Sequence, residues 1–254
     1  MTIAAGAPAS LRRPGRDAIV VAHRGASADV PENTLPAFEA AWAAGACWIE
    51  ADTQPTADGV AVILHDEDVD RTTTGSGPVR SHTAADVTRL RIRGLPVARV
   101  PELGELLALL ERDRALLLEI KGEHTAEQTA QILAVCAASG HDERVLVQSF
   151  EVPALRQVRA LAPARSIGLL VERLDPDPVG RCRALGAAAY NPDYREVLAN
   201  PEAVRALRAA GIAVAVWTAD DPADWETLTT AGVDAIITNT PAGLLAWQRE
   251  RSRR

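Results

Sequence analysis

Several familiar protein classes are excluded by what this chain lacks. It has three cysteines, Cys47, Cys136 and Cys182. They are odd in number and far apart, so neither a disulfide framework nor a cysteine metal site follows; a reducing, cytoplasmic setting is expected. No apolar run approaches the ~18 residues of a spanning helix, so stable membrane insertion is not expected. Lys and Arg (27) are outnumbered by Asp and Glu (34), and the net charge of −7 argues against a nucleic-acid partner, which needs a basic footprint. Arg12-Arg13 is followed by Pro14-Gly15-Arg16-Asp17. An export signal needs an apolar stretch of about 7–15 residues there. No Gly-rich phosphate loop follows the first strand, as a doubly wound open sheet would favour. Internal repeats and low-complexity segments are also missing.

Short β-branched runs alternate with longer Ala/Leu/Arg stretches of helical period, the pattern of a parallel α/β protein. Strands are predicted over 19–25, 48–54, 60–66, 116–121, 145–150, 166–171, 188–192, 212–218 and 235–239. Nine runs exceed an eight-stranded barrel by one, and the exception identifies itself. Only residues 55–59 separate the second run from the third, too few for a parallel crossover. A turn at Asp58-Gly59 makes an antiparallel hairpin instead. Folding back about residues 57–58 sets His65 roughly opposite Glu50. The other eight runs, each followed by a helical stretch, predict a (β/α)8 TIM barrel, for which 254 residues is a normal length. A flexible segment is expected over 1–17, one barrel domain over 18–248 and a charged tail over 249–254. Residues 67–100 lack barrel periodicity and are expected to form a small cap insertion at the mouth.

Polar residues gather where the strands end, the catalytic face of such a barrel. Glu50 and Asp52 sit at i and i+2 of one strand, so both face the same way. Glu119 and Lys121 repeat that spacing on another. Like charges on one inward face repel unless a cation or proton lies between them. An all-oxygen set selects a hard divalent ion, Mg²⁺ or Ca²⁺. The plain alternative is a solvated or salt-bridged strand end. Histidine is scarce, five in all, and His23 and His65 end apolar strands. They suit a general acid/base pair, although a satisfied core histidine or a Zn²⁺ ligand is the competing reading. Arg24 and Lys121 offer fixed positive charge to a phosphate or to the nearby carboxylates. Phe150, Tyr190 and Trp217 fall near strand ends and could wall a small polar substrate, or simply pack. Asn33 or Thr34 reads as a helix N-cap. Glu32 and Asp66 have no role that the sequence decides. His82, His124 and His141 read as surface or loop residues.

At these clusters the chain resembles the glycerophosphodiester phosphodiesterase family. The resemblance runs from about residue 20 to 245. It rests on the ordered set His23-Arg24-Gly25, Pro31-Glu32-Asn33-Thr34, Glu50-x-Asp52, Asp58-Gly59, His65-Asp66, Arg71-Thr72-Thr73, Glu119-Ile120-Lys121, Ser149-Phe150 and Val216-Trp217-Thr218. It implies hydrolysis of glycerophosphodiesters, small-molecule substrates, to sn-glycerol 3-phosphate and an alcohol. It also implies Glu50, Asp52 and Glu119 as metal ligands, His23 and His65 as acid and base, and Arg24 and Lys121 on phosphate. Two places depart from the pattern. After Val216-Trp217-Thr218 the family often continues with a small apolar residue and Asn, whereas Ala219-Asp220-Asp221 follows here; near the end, the usual Asp is Asn239. The rivals are a phospholipase-D-like activity on lysophospholipids and a non-catalytic barrel. The first would want apolar or basic loops, yet residues 67–100 hold no Phe, Tyr or Trp; the second should have lost a catalytic residue.

Overall fold

The computed structural model describes residues 9–12, 15, 17–111 and 113–253. The strands are β1 (Ile19–Ala22), β2 (Trp48–Pro55), β3 (Ala61–Ile63), β4 (Arg91–Ile92), β5 (Leu95–Arg99), β6 (Ala115–Ile120), β7 (Val145–Ser149), β8 (Ile167–Val171), β9 (Ala189–Pro192), β10 (Ala213–Val216) and β11 (Ala235–Thr238). The helices are α1 (Leu35–Ala44), α2 (Ala84–Val87), α3 (Leu103–Leu107), α4 (Ala126–Ala138), α5 (Val152–Leu161), α6 (Pro178–Leu185), α7 (Tyr194–Ala199), α8 (Glu202–Ala209), α9 (Pro222–Ala231) and α10 (Pro241–Arg251).

Eight strands run parallel in the order β1-β11-β10-β9-β8-β7-β6-β2, and pairing of β1 with β2 closes them into a barrel. The ninth predicted strand, β3, returns antiparallel along the far half of β2, with Thr53 opposite Ile63. Alternation along the strands separates two apolar layers. Val20, Ile49, Leu116, Leu118, Val147, Leu169 and Val214 face outward onto the helices. Ile19, Val21, Trp48, Leu117, Leu146, Ala215 and Ile237 fill the interior. Because side chains repeat every two residues, the inward series continues upward as His23, Glu50 and Asp52, Glu119 and Lys121, Gln148 and Phe150, and Trp217. The parity that builds the barrel floor therefore also assembles the polar mouth.

The stretch after β3 has a small core of its own, with Val69, Val79, Val87, Ile92 and Ala98 buried together against Val62 and Leu64 of the hairpin arm. Sequence periodicity does not announce its β4–β5 hairpin, since only Ile92 and Ala98 of those strands are buried. This stretch leans on loops that follow strand C-termini: Arg71 bonds Glu32, and Arg80 Nη2 bonds the Glu123 carbonyl. Within the expected flexible segment, Ala9 and Leu11 are buried against the barrel floor, because Leu11 joins the interior apolar layer. Residues 1–8, 13, 14 and 16 of that segment lie outside the described residues. The expected tail begins late: α10 continues to Arg251, which pairs with Asp17 and Glu226, and Arg254 lies outside the described residues. Among the described residues, no helix is long and apolar enough to cross a membrane.

One glycine holds the first barrel loop against α1. Gly25 has φ +86°, and a Cβ there would lie 2.6 Å from the Ala37 carbonyl carbon, backbone that cannot yield cheaply. Left-handed strain and overpacking together should make Gly25→Ala cost more than about 2 kcal/mol. A denaturant midpoint close to wild type would contradict this.

Candidate active site at the barrel mouth

His23, Arg24, Glu50, His65, Glu119, Lys121, Phe150 and Trp217 line one cavity, together with Gln148, Leu170 and Ile237. The third predicted carboxylate, Asp52, belongs to the same cluster: one ligand oxygen each from Glu50, Asp52 and Glu119 lie within 4.8 Å of one another. All three side chains are buried. Burial and repulsion from Asp52 and Glu119 push the Glu50 carboxyl well above its usual range, against the pull of Arg24. Burial and Asp52 likewise lift Glu119 to about 7 despite Lys121.

The surrounding cations neutralise this cluster only in part. Lys121 Nζ lies 2.9 Å from Glu119 Oε1 and 3.9 Å from Asp52 Oδ1. Arg24 donates its backbone N–H to Glu50 Oε2 at 3.0 Å, and its Nε lies 3.1 Å from Asp52 Oδ2. Its Nη1 is committed to Glu32 at 2.8 Å. Glu50 Oε1 stays buried without a hydrogen-bond partner. An orphaned carboxylate oxygen beside two others is the donor set a hard cation requires, so the residues fit a divalent metal.

The backbone here is specialised. Arg24 and Asn33 both adopt φ near +55°, a region that favours glycine. Asn33 uses it to hold a carboxylate of the triad: Nδ2 donates to Asp52 Oδ2 at 2.8 Å, and Oδ1 accepts the Asp52 N–H at 3.3 Å. Thr34 is the N-cap of α1, accepting the Ala37 N–H. Of the two capping candidates, one thus caps the helix while the other braces a carboxylate.

Both cavity histidines, His23 and His65, have a partner on Nδ1. His65 Nδ1 lies 2.7 Å from Asp66 Oδ1, and its Nε2 is 3.2 Å from Lys121 Nζ. Asp66 is gripped by Arg71, whose Nε and Nη2 reach it at 2.5 and 2.9 Å. Hydrogen bonds from Arg71 hold the Asp66 carboxyl at about 2. Arg71 also grips Glu32. Burial would raise the Glu32 carboxyl, but Arg71 and Arg24 outweigh it and hold it at about 2. Arg71 therefore joins the loop after β1, through Glu32, to the loop after β3, through Asp66. His23 Nδ1 lies 2.7 Å from Asn239 Oδ1. Burial, then the charge of Arg24, lowers the His23 imidazole to about 4, so it is neutral near pH 7.

Phe150 and Trp217 meet edge to face, 5.4 Å between ring centroids, and Lys121 Nζ lies 5.8 Å over the Phe150 ring. Tyr190 does not join them: residues 189 and 191 take the inward parity, so its ring packs in the outer core and its hydroxyl bonds Asp175. His124 lies in the loop between β6 and α4, as expected, but is buried there, and that burial lowers its imidazole to about 4. Gln148 and Asn191, buried and bonded to each other at 2.7 Å, form a polar step that sequence reading missed. Their inward parity was the available signal.

The model of the glycerophosphoryl diester phosphodiesterase family matches residues 23–242. A glycerophosphodiester phosphodiesterase of Caldanaerobacter subterraneus subsp. tengcongensis is 36% identical over 236 residues, covering 89% of this chain and 96% of the relative. Among solved structures, a glycerophosphodiester phosphodiesterase from Agrobacterium tumefaciens aligns with a TM-score of 0.80 at 28% identity, covering 90% of this chain and 99% of that one. An Oleispira antarctica phosphodiesterase, in complex with the product sn-glycerol-3-phosphate, aligns at 0.81 with 25% identity over 91% of this chain and 96% of its own.

Proposed function

We propose, since this chain belongs to the glycerophosphoryl diester phosphodiesterase family and is an enzyme of that activity, that it hydrolyses its substrates by metal-dependent, two-histidine acid/base catalysis. The products are sn-glycerol 3-phosphate and an alcohol. The carrying observation is the placement of both imidazoles on one cavity with the carboxylate triad.

Glu50, Asp52 and Glu119 would hold the cation, Mg²⁺ or Ca²⁺. When bound, it neutralises phosphate charge and polarises a phosphoryl oxygen. Lys121 and Arg24 add fixed positive charge toward the phosphate, Arg24 while bracing Glu50 and Asp52. Phe150 and Trp217 wall the substrate. His23 is the base: neutral near pH 7, it takes the proton of the glycerol hydroxyl next to the ester as that oxygen attacks phosphorus. His65 is the acid. In its protonated form Nδ1–H is held by Asp66, and Nε2–H passes its proton to the departing alcohol oxygen. A cyclic phosphate and a free alcohol result. Water then opens the ring with the roles exchanged: His65 takes the water's proton and His23 returns its own to the glycerol oxygen.

A substrate analogue lacking the adjacent hydroxyl tests this route, and it should be turned over at least ~10²-fold more slowly. Unchanged turnover would assign the attack to water. Glycerophosphocholine should be cleaved to glycerol 3-phosphate, and micellar lysophospholipid far less well. The reverse preference would move the activity to lipid.

A further inference from the structure

The structure assigns Asp220 as a positioning residue that acts through Asn239 to fix which nitrogen of His23 carries its proton, an inference that rests on His23 being the base. Asp220 lies in the segment between β10 and α9, and Asn239 directly follows β11. The Asn239 backbone N–H donates to Asp220 Oδ1 at 2.8 Å, and Thr238 Oγ1 donates to the same oxygen at 2.7 Å. Asn239 Nδ2 donates to Asp220 Oδ2 at 2.7 Å. A carboxylate only accepts. The reversed amide would set its carbonyl oxygen against Oδ2 with no hydrogen between them, so Asp220 dictates that the NH2 faces it and Oδ1 faces His23. Oδ1 also only accepts, and it lies 2.7 Å from His23 Nδ1. The proton of neutral His23 therefore sits on Nδ1, and Nε2 keeps its lone pair. Ser27 Oγ lies 2.7 Å from the His23 carbonyl and 2.9 Å from Asn239 Oδ1 and has one hydrogen to give, so the charged, acceptor-only Asp220 is the partner that sets the amide. These are the two positions at which the sequence departs from its family's pattern, and the structure joins them directly by two hydrogen bonds.

The Asp220→Asn substitution should reverse the Asn239 amide. Thr238 and the Asn239 N–H still need an acceptor, so the new amide keeps oxygen in the Oδ1 place and puts NH2 in the Oδ2 place. Asn239 must then turn its carbonyl toward Asn's NH2 and its own NH2 toward His23. That leaves Nδ1 accepting and the proton on Nε2, useless to a base. Adding Asn239→Asp supplies an obligate acceptor to both neighbours and should return the proton to Nδ1.

The readout is the ¹⁵N spectrum of the imidazoles in the full-length protein, with His23 assigned by its loss in His23→Gln. We expect Nδ1–H in wild type, Nε2–H in Asp220→Asn, and Nδ1–H again in the double variant. On glycerophosphocholine, kcat should fall about tenfold or more in Asp220→Asn with KM little changed, and recover in the double variant. Nε2–H in wild type overturns the inference even if Asp220→Asn fails to fold. So does an Asp220→Asn protein that retains Nδ1–H, or a double variant that keeps the proton on Nε2. A fully active His23→Gln would instead remove the base assignment while leaving the tautomer result standing.

Discussion

Stripping divalent metal with excess chelator is expected to cut turnover by at least ~10²-fold, equivalent to about 3 kcal/mol of lost transition-state stabilisation. Addition of Mg²⁺ or Ca²⁺ should restore it, and the better of the two identifies the preferred ion. The physical case lies in the cost of leaving Glu50, Asp52 and Glu119 together. Three buried carboxylates face two cations, Arg24 and Lys121, so one negative charge is uncompensated, and Glu50 Oε1 has no partner. Burial and mutual repulsion raise both Glu50 and Glu119 as a result. A divalent cation relieves desolvation and repulsion at once. Glu50→Gln preserves the shape and the acceptor for the Arg24 N–H but removes one anionic ligand, so calorimetric titration should show weaker metal binding in a folded protein. Full turnover after verified metal removal would reject metal dependence. An unaltered binding isotherm in Glu50→Gln would remove that residue from the ligand set.

What the sequence made legible here follows from period two. Glu50 and Asp52, or Glu119 and Lys121, share a face because they are two apart on strands whose other inward members are Trp48 and Leu117. His65 could be placed near the triad because a five-residue turn permits only a hairpin, and β3 does return antiparallel. The same rule, applied to Tyr190, would have sent it to the core. Contacts between loops obey no period. Arg71 and Glu32 are 39 residues apart, on segments whose path is set by three-dimensional packing. Nothing local reports their pairing, or that of His23 with Asn239 across the barrel closure. Asn33 looked like a cap because Asn and Thr are both good caps, and only its left-handed backbone separates the roles. The β4–β5 hairpin was hidden for a different reason: its strands are short, mostly exposed and contain Pro96.

His65→Ala should lower kcat at least ~10²-fold while leaving the fold intact. The side chain is about one-third exposed and lies beyond the last paired residue of β3, so truncation opens no core cavity. What is lost, on this assignment, is a proton donor held in place by Asp66 on Nδ1, with Arg71 behind Asp66. Loss of kcat alone would not distinguish a proton donor from a group that binds phosphate, because both stabilise the transition state. The leaving group can make that distinction. An aliphatic alkoxide is a poor leaving group and needs protonation as the P–O bond breaks, whereas a nitrophenolate leaves without it. If His65 is the acid, the variant should be strongly impaired with an aliphatic alcohol ester of glycerol phosphate and only mildly impaired with the nitrophenyl ester. Phosphate binding through Lys121 and Arg24 is common to both substrates and cancels in the comparison. Equal impairment with the two esters would make His65 a binding residue, and near-wild-type kcat with the aliphatic ester would take it out of the mechanism.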